Sequence, residues 1–202
     1  SYNFWRMFEI TDVHALDVSP YEGADLLFDL NSPELPEKWR GQFDLVLDGG
    51  TLEHIFSVGQ AMKNIASLVK RGGFIYSIVP CAGWVDHGFY SISPSFFQDF
   101  YAANHFEILR LNIQFKMMTG IKTPVIWSQD CRLFHGTKEM NQYINRYMGE
   151  GGALLHCLAR KTIEYSDSVV VPKQGIYVKL HNPNKELALD YNRIVQTLTE
   201  LG

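Results

Sequence analysis

Cysteine is scarce in this sequence: three in 202 residues, Cys81, Cys131 and Cys157, far apart and odd in number. That argues against a disulfide framework and against cysteine-based metal spacing, and it fits reduced thiols in a cytoplasmic protein. No apolar run approaches the roughly 20 residues of a membrane helix, and no basic-then-apolar leader opens the sequence. A membrane is therefore not an expected partner. Basic residues are not in excess either, with 18 Lys and Arg against 22 Asp and Glu and a net charge of -4. Nucleic-acid binders carry a basic face, so nucleic acid is not an expected partner. A local basic patch is still open, for example around Arg160 and Lys161. There is no internal repeat, no low-complexity segment and no G-x-G-x-x-G: Gly23 and Gly49-Gly50 stand apart.

What is present is enough apolar material, 46%, to build a sizeable core. The first half alternates strand-like and helix-like segments. Residues 13–17 read as a short strand ending on Asp17, broken by Ser19, Pro20 and Gly23. Residues 24–30 read as a second strand with Asp29 at its end, and residues 43–48 as a third, ending at Asp48 and stopped by Gly49-Gly50. Val58, Ala61, Met62, Ile65, Leu68 and Val69 then recur at helical spacing. Ser57 is placed to cap that helix and Gly72 to end it. Residues 74–79 are near-continuously apolar, as in a strand buried on both faces, with Pro80 as its stop. Ser93-Pro94 opens a helix bearing Phe96, Phe97, Phe100 and Tyr101, a stripe read first as core packing. Residues 106–115 and 153–162 read as two longer strands. The stretch between them reads as a loop and a helix at 138–148, and residues 187–201 read as an amphipathic helix in the tail. The expectation is an α/β sheet with helices on both faces, and ligands in such sheets bind beyond the carboxyl ends of the strands.

Three successive strand ends carry an aspartate. A strand-end carboxylate can accept both hydroxyls of a ribose, a role that suits Asp17. Asp29 can accept from an adenine amine, with Val18 and Leu30 flanking the ring. Each aspartate can equally be a plain turn or cap residue.

Residues 43–56, Leu68-Val69-Lys70-Arg71-Gly72-Gly73-Phe74-Ile75 and Val79-Pro80 resemble the fourth- and fifth-strand motifs of class I S-adenosylmethionine-dependent methyltransferases. More narrowly, residues 17–31 with Asp86-His87-Gly88-Phe89-Tyr90 and Ser93-Pro94 resemble a bacterial group of methyltransferase-like proteins with an Asp-Gly-Gly-Thr-Leu-Glu-His motif, often encoded beside surface-polysaccharide genes. The resemblance covers residues 13–106. It implies a Rossmann-like sheet, mostly parallel with a terminal antiparallel pair, over residues 1–165, with residues 166–202 as a C-terminal extension. It implies S-adenosyl-L-methionine as cofactor, with Asp17 on the ribose, Asp29 and Leu30 on the adenine, and Asp48 and Gly49 at the methionine end. Glu53 and His54 begin the helix over the active site. In some relatives a Glu-His pair there helps bind a metal together with an upstream acid. No such acid is evident here, so no metal is expected.

One departure is large. The first strand and its glycine-rich turn, which need about 30 residues in a βαβ unit, do not fit before Val13. Either the chain is a fragment, the favoured expectation, or the turn has been lost and the domain does not catalyse. Methyl transfer asks the protein to align nucleophile, carbon and sulfur and to exclude water; a hydroxyl acceptor also needs a base. His87 is the expected base, with Tyr90 and His54 orienting the acceptor, a small-molecule or glycan hydroxyl, and with Trp84 and Phe89 walling its pocket. The two rivals are a non-catalytic methyltransferase-like binding module and a nicotinamide-dependent oxidoreductase, in which Asp17 would serve equally.

Overall fold

The computed structural model describes residues 5–117, 125–130, 152–166 and 168–175. The helices expected at 138–148 and 187–201, and Cys131, lie outside the described residues.

Strands β1 (Leu16–Asp17) and β2 (Leu26–Leu27) pair in parallel as a small sheet of their own. They are shorter than the runs that contain them, and side chains do part of the joining: Asp25 accepts from the Ala15 amide at 2.7 Å and also contacts His14. The next strand, β3, spans Phe43–Asp48 as expected. A 3-10 turn, Leu52–His54, and helix α1, Val58–Leu68, follow it. Strand β4, Val69–Ala82, then lies parallel to β3. Parallel neighbours need a crossover, and α1 supplies it while burying Ala61, Met62, Ile65, Ala66 and Leu68.

Helix α2, Pro94–Ala103, leads into three strands: β5 (Phe106–Met117), β6 (Val125–Asp130) and β7 (Ala153–Lys161). The sheet order is β3-β4-β7-β5-β6. The last strand is thus inserted between β4 and β5, antiparallel to both. The chain is an α/β protein with a Rossmann-like sheet, parallel in its first half and finished by the expected antiparallel pair. The antiparallel part is larger than expected by one strand, because β6 pairs with β5 within a stretch expected to be loop and helix.

Several local expectations are corrected. Ser57 occupies the N-cap of α1, but its hydroxyl makes no capping bond; instead its amide donates to Asn31 Oδ1 at 2.9 Å. Gly72 does not end α1. The helix passes directly into β4 at Val69, and Gly72, with φ +83°, lies inside a register shift of that strand. Pro80 does not end β4 either. It pairs with Leu154 of β7 beyond the point where β3 stops opposite Ser77, so no second neighbour asks for its missing N–H.

The sheet also has unequal faces. Register aligns Val46, Ile75 and Ala159 on one face, with Ser77, Cys157 and Leu111 aligned one step along it. Helices α1 and α2 both join this face in a single core that contains fully buried Met62, Ile75, Phe97, Tyr101, Leu111 and Leu155. The aromatic stripe of α2 is therefore packing. The opposite face carries Leu45, Leu47, Tyr76 and Ile78; Leu47 is 45% exposed and Ile78 only half-buried. β4 accordingly alternates rather than being buried on both faces, and among the described residues helices cover one face.

This asymmetry predicts the cost of truncation. Ile75→Ala should destabilise the chain by about 2–5 kcal/mol, the range for a core cavity, while Leu47→Ala should cost about 1 kcal/mol or less. Urea denaturation of the two variants checks it; equal costs would mean that the second face is as well packed as the first.

Candidate active site

β3 delivers Asp48 to its carboxyl end, and the chain then turns through Gly49 and Gly50. Gly50 has φ +97°, and a Cβ there would stand 3.1 Å from Glu53 Oε1, so glycine serves both backbone and space. Asp48 Oδ1 accepts from the amides of Thr51 (2.9 Å) and Leu52 (3.3 Å), which fixes the 3-10 turn. Its other oxygen, Oδ2, is buried without a hydrogen-bond partner. Burial pushes the carboxyl up to about 6, against the pull of those two amides and of the nearby Ser77 hydroxyl, and the Glu53 carboxylate adds to the rise.

The turn places Glu53 inside and His54 at the surface. The Glu53 side chain is 2% exposed, and its Oε2 has no partner. The loop after β4 then closes on the same residue. The amides of Phe89 and Tyr90 donate to the Glu53 carbonyl at 2.8 and 3.3 Å. A Cβ on Gly88 would meet that carbonyl at 2.8 Å, so only glycine lets the loop approach. Asp86 takes a left-handed φ of +62°, uncommon outside glycine. His87 Nε2 comes to 3.7 Å from Glu53 Oε1, and His54 Nε2 to 3.8 Å from the same oxygen. The two imidazoles lie 5.0 Å apart. Trp84 packs 5.2 Å from the His87 ring and is anchored by Nε1 donating to the Ala153 carbonyl at 3.1 Å.

The Tyr90 hydroxyl donates to the Phe56 carbonyl at 2.6 Å, tying the two loops together. Phe56 and Phe89 meet edge to face at 5.6 Å, and both are mostly exposed. An aromatic lip of Phe56, Phe89 and Trp84 therefore borders the Glu53-His54-His87 cluster.

The other expected residues stand as follows. Asp17 Oδ1 accepts from the Ser19 amide at 2.8 Å, and Asp29 Oδ1 accepts from both Asn31 nitrogens, so each also serves its own turn. Asp17, Val18, Asp29 and Gly49 are exposed. Leu30 is not: its side chain is in the core and its carbonyl accepts from Asn64 Nδ2 at 3.0 Å. Asn31 links this segment to the start of α1 through the Ser57 amide. Asp48, Gly49, His54, His87 and Tyr90 are gathered by the two loops. The member absent from the expected site residues is Glu53, although Gly50 and Gly88, the two glycines that crowd it, were visible in the sequence.

Comparison with known proteins yields no matching family model and no matching curated protein. The solved structures to which this chain is similar include two that follow. One is the complex of the Haloferax volcanii Trm112 methyltransferase activator with a proposed methyltransferase, at 18% identity and a TM-score of 0.43, covering 73% of this chain and 70% of that one. The other is a proposed methyltransferase from Bacillus halodurans, at 15% identity and a TM-score of 0.42, covering 79% of this chain and 85% of that one. Likenesses this distant decide neither activity nor substrate.

Asp48 gives a signed prediction. Its carboxyl titrates near 3.8 when free and near 6 here, so the stability held by its neutral form is complete below pH 3.8 and is lost as pH rises through 6. The loss is about 3 kcal/mol. Asp48→Asn keeps the amide-accepting oxygen and should be more stable than the parent by about 2–3 kcal/mol at pH 8, with the gain vanishing toward pH 4. Denaturant melts at pH 8, 6 and 4 read it directly, and a pH-independent difference would contradict the assignment.

Proposed function

We propose that this chain is an S-adenosylmethionine-dependent methyltransferase acting on a hydroxyl of a small molecule or glycan. The observation that carries the reading is the mouth beyond β3 and β4. There a buried carboxylate with an unpaired oxygen, Asp48, stands at the carboxyl end of a parallel strand, five residues before the Glu53 of a two-imidazole cluster rimmed by aromatics. Ligands of parallel sheets bind at that edge, and a buried polar atom without a partner calls for an explanation, a bound group among them.

The residues fit the cofactor in part. Exposed Asp17 keeps one carboxylate oxygen beyond its Ser19 contact for a ribose, and Val18, 71% exposed, offers apolar surface beside it. Asp29 lies two residues beyond the end of β2, and Gly49 with Asp48 forms the inner wall. Leu30 can contribute only its backbone, since its side chain is committed to the core. When bound, S-adenosylmethionine supplies a methyl group already activated by its sulfonium. His87 has the protein's part of the chemistry. Its Nε2 faces the Glu53 carboxylate, which favours the proton on that nitrogen and leaves Nδ1 to accept the acceptor's proton. Glu53 then stabilises the imidazolium, His54 orients the acceptor oxygen, and the aromatic lip keeps water out.

Two measurements test this. Asp17→Ala should weaken S-adenosylmethionine binding by about 1.5–3 kcal/mol, the cost of losing a charged hydrogen-bond partner, as read by isothermal titration. His87→Ala should leave cofactor binding intact while S-adenosylhomocysteine release falls by roughly 10²–10⁴-fold. A chain that binds no cofactor would instead support the non-catalytic binding module.

A further inference from the structure

We propose that Glu53, His54 and His87 form a binding site for one divalent transition-metal ion. Each residue offers one ligating atom, and the three atoms lie within 4.8 Å of one another. The closest approaches, 3.7 and 3.8 Å, run from the two imidazole Nε2 atoms to Glu53 Oε1. These are too long for hydrogen bonds. They are close to what an ion asks for: with bonds of about 2.0–2.2 Å, tetrahedral ligand atoms stand about 3.3–3.6 Å apart. The two histidines are half-exposed, which leaves their side chains room to rotate toward an ion.

The second observation is the state of Glu53. Its side chain is 2% exposed, its Oε2 is buried without a partner, and among the described residues no lysine or arginine pairs with it. A carboxylate is not buried in this way without something to offset the charge. Two imidazoles face it, and a divalent cation held among the three side chains would offset it. The scaffold is built for the placement. Gly50 and Gly88 allow the two loops to crowd Glu53, and two amides clamp its carbonyl. The Trp84 ring beside His87 limits where that imidazole can go.

The donor set selects the ion. Two imidazole nitrogens and one carboxylate suit zinc, cobalt or iron, whereas magnesium and calcium prefer all-oxygen shells. Three protein ligands with both histidines at the surface leave coordination positions open toward the aromatic lip, as in catalytic rather than structural sites. The inference rests on ligand geometry and stands whether or not the chain transfers methyl groups. An ion on Nε2 holds the proton of His87 on Nδ1, so the loaded cluster and the proton-accepting His87 are exclusive states, which activity with and without the ion separates.

The test is titration of the 202-residue chain with cobalt(II), without cofactor, followed by visible absorption and calorimetry. One ion per chain should bind, with d–d bands of nitrogen and oxygen ligation and no thiolate charge-transfer band. His54→Ala, His87→Ala and Glu53→Gln should each weaken binding by more than about 100-fold, beyond the loss of an outer-sphere partner. His14→Ala, in a separate surface cluster, should leave it unchanged, and excess magnesium should not displace the cobalt. His54 and His87 are half-exposed, so those two variants keep the test decisive even if the Glu53 variant fails to fold. No stoichiometric binding, binding indifferent to His87→Ala, a thiolate band, or displacement by magnesium would each overturn the proposal.

Discussion

Two backbone amides, from Phe89 and Tyr90, converge on the carbonyl of Glu53, while Asp48 holds the turn that carries Glu53 from the other side. The loop after β3 and the loop after β4 are joined at this point. His54 comes with the first loop and His87 with the second, so their meeting depends on that clamp. Gly88 is its sterically necessary member, because any side chain there would strike the carbonyl being clamped. The Tyr90-to-Phe56 bond is a second tie across the same gap.

The clamp sets two costs next to each other. Asp48 and Glu53 are both acidic, both nearly fully buried, and each keeps one oxygen unpaired. A fold optimised for stability alone would put apolar residues at such positions. Local rules are broken most often where a protein works. The carboxyl ends of the parallel strands, where ligands of such sheets bind, are the place where these costs are concentrated here.

Much of the architecture was legible from periodicity. β3 spans the residues expected, α1 follows the apolar stripe from Val58, and α2 starts at Ser93-Pro94. Both β5 and β7 were legible as longer strands, and their antiparallel pairing is the one that the family resemblance implied. What failed to show was mostly context. Gly72 has the conformation of a helix terminator but sits within a strand, since Val69 is already paired with Phe43. A proline in a strand looks like an end until one sees that β3 stops short of it. An apolar run such as that of β4 cannot by itself say whether one face or two will be covered, because that depends on where the helices pack.

The sequence alone determined part of the local chemistry: where β3, α1 and α2 lie, that an aspartate closes β3, and that Glu53 and His54 stand together after a glycine pair. Only the tertiary structure decided which of these groups share a site. It brought His87 across to Glu53, committed the Leu30 side chain to the core, spent one oxygen of each aspartate on a local turn or cap, and left the Glu53 carboxylate facing two imidazoles. The reason is that spacing along the chain governs backbone hydrogen bonds and apolar periodicity, whereas a site is set by separations of a few ångströms between loops whose closeness depends on a backbone clamp that no side-chain pattern encodes.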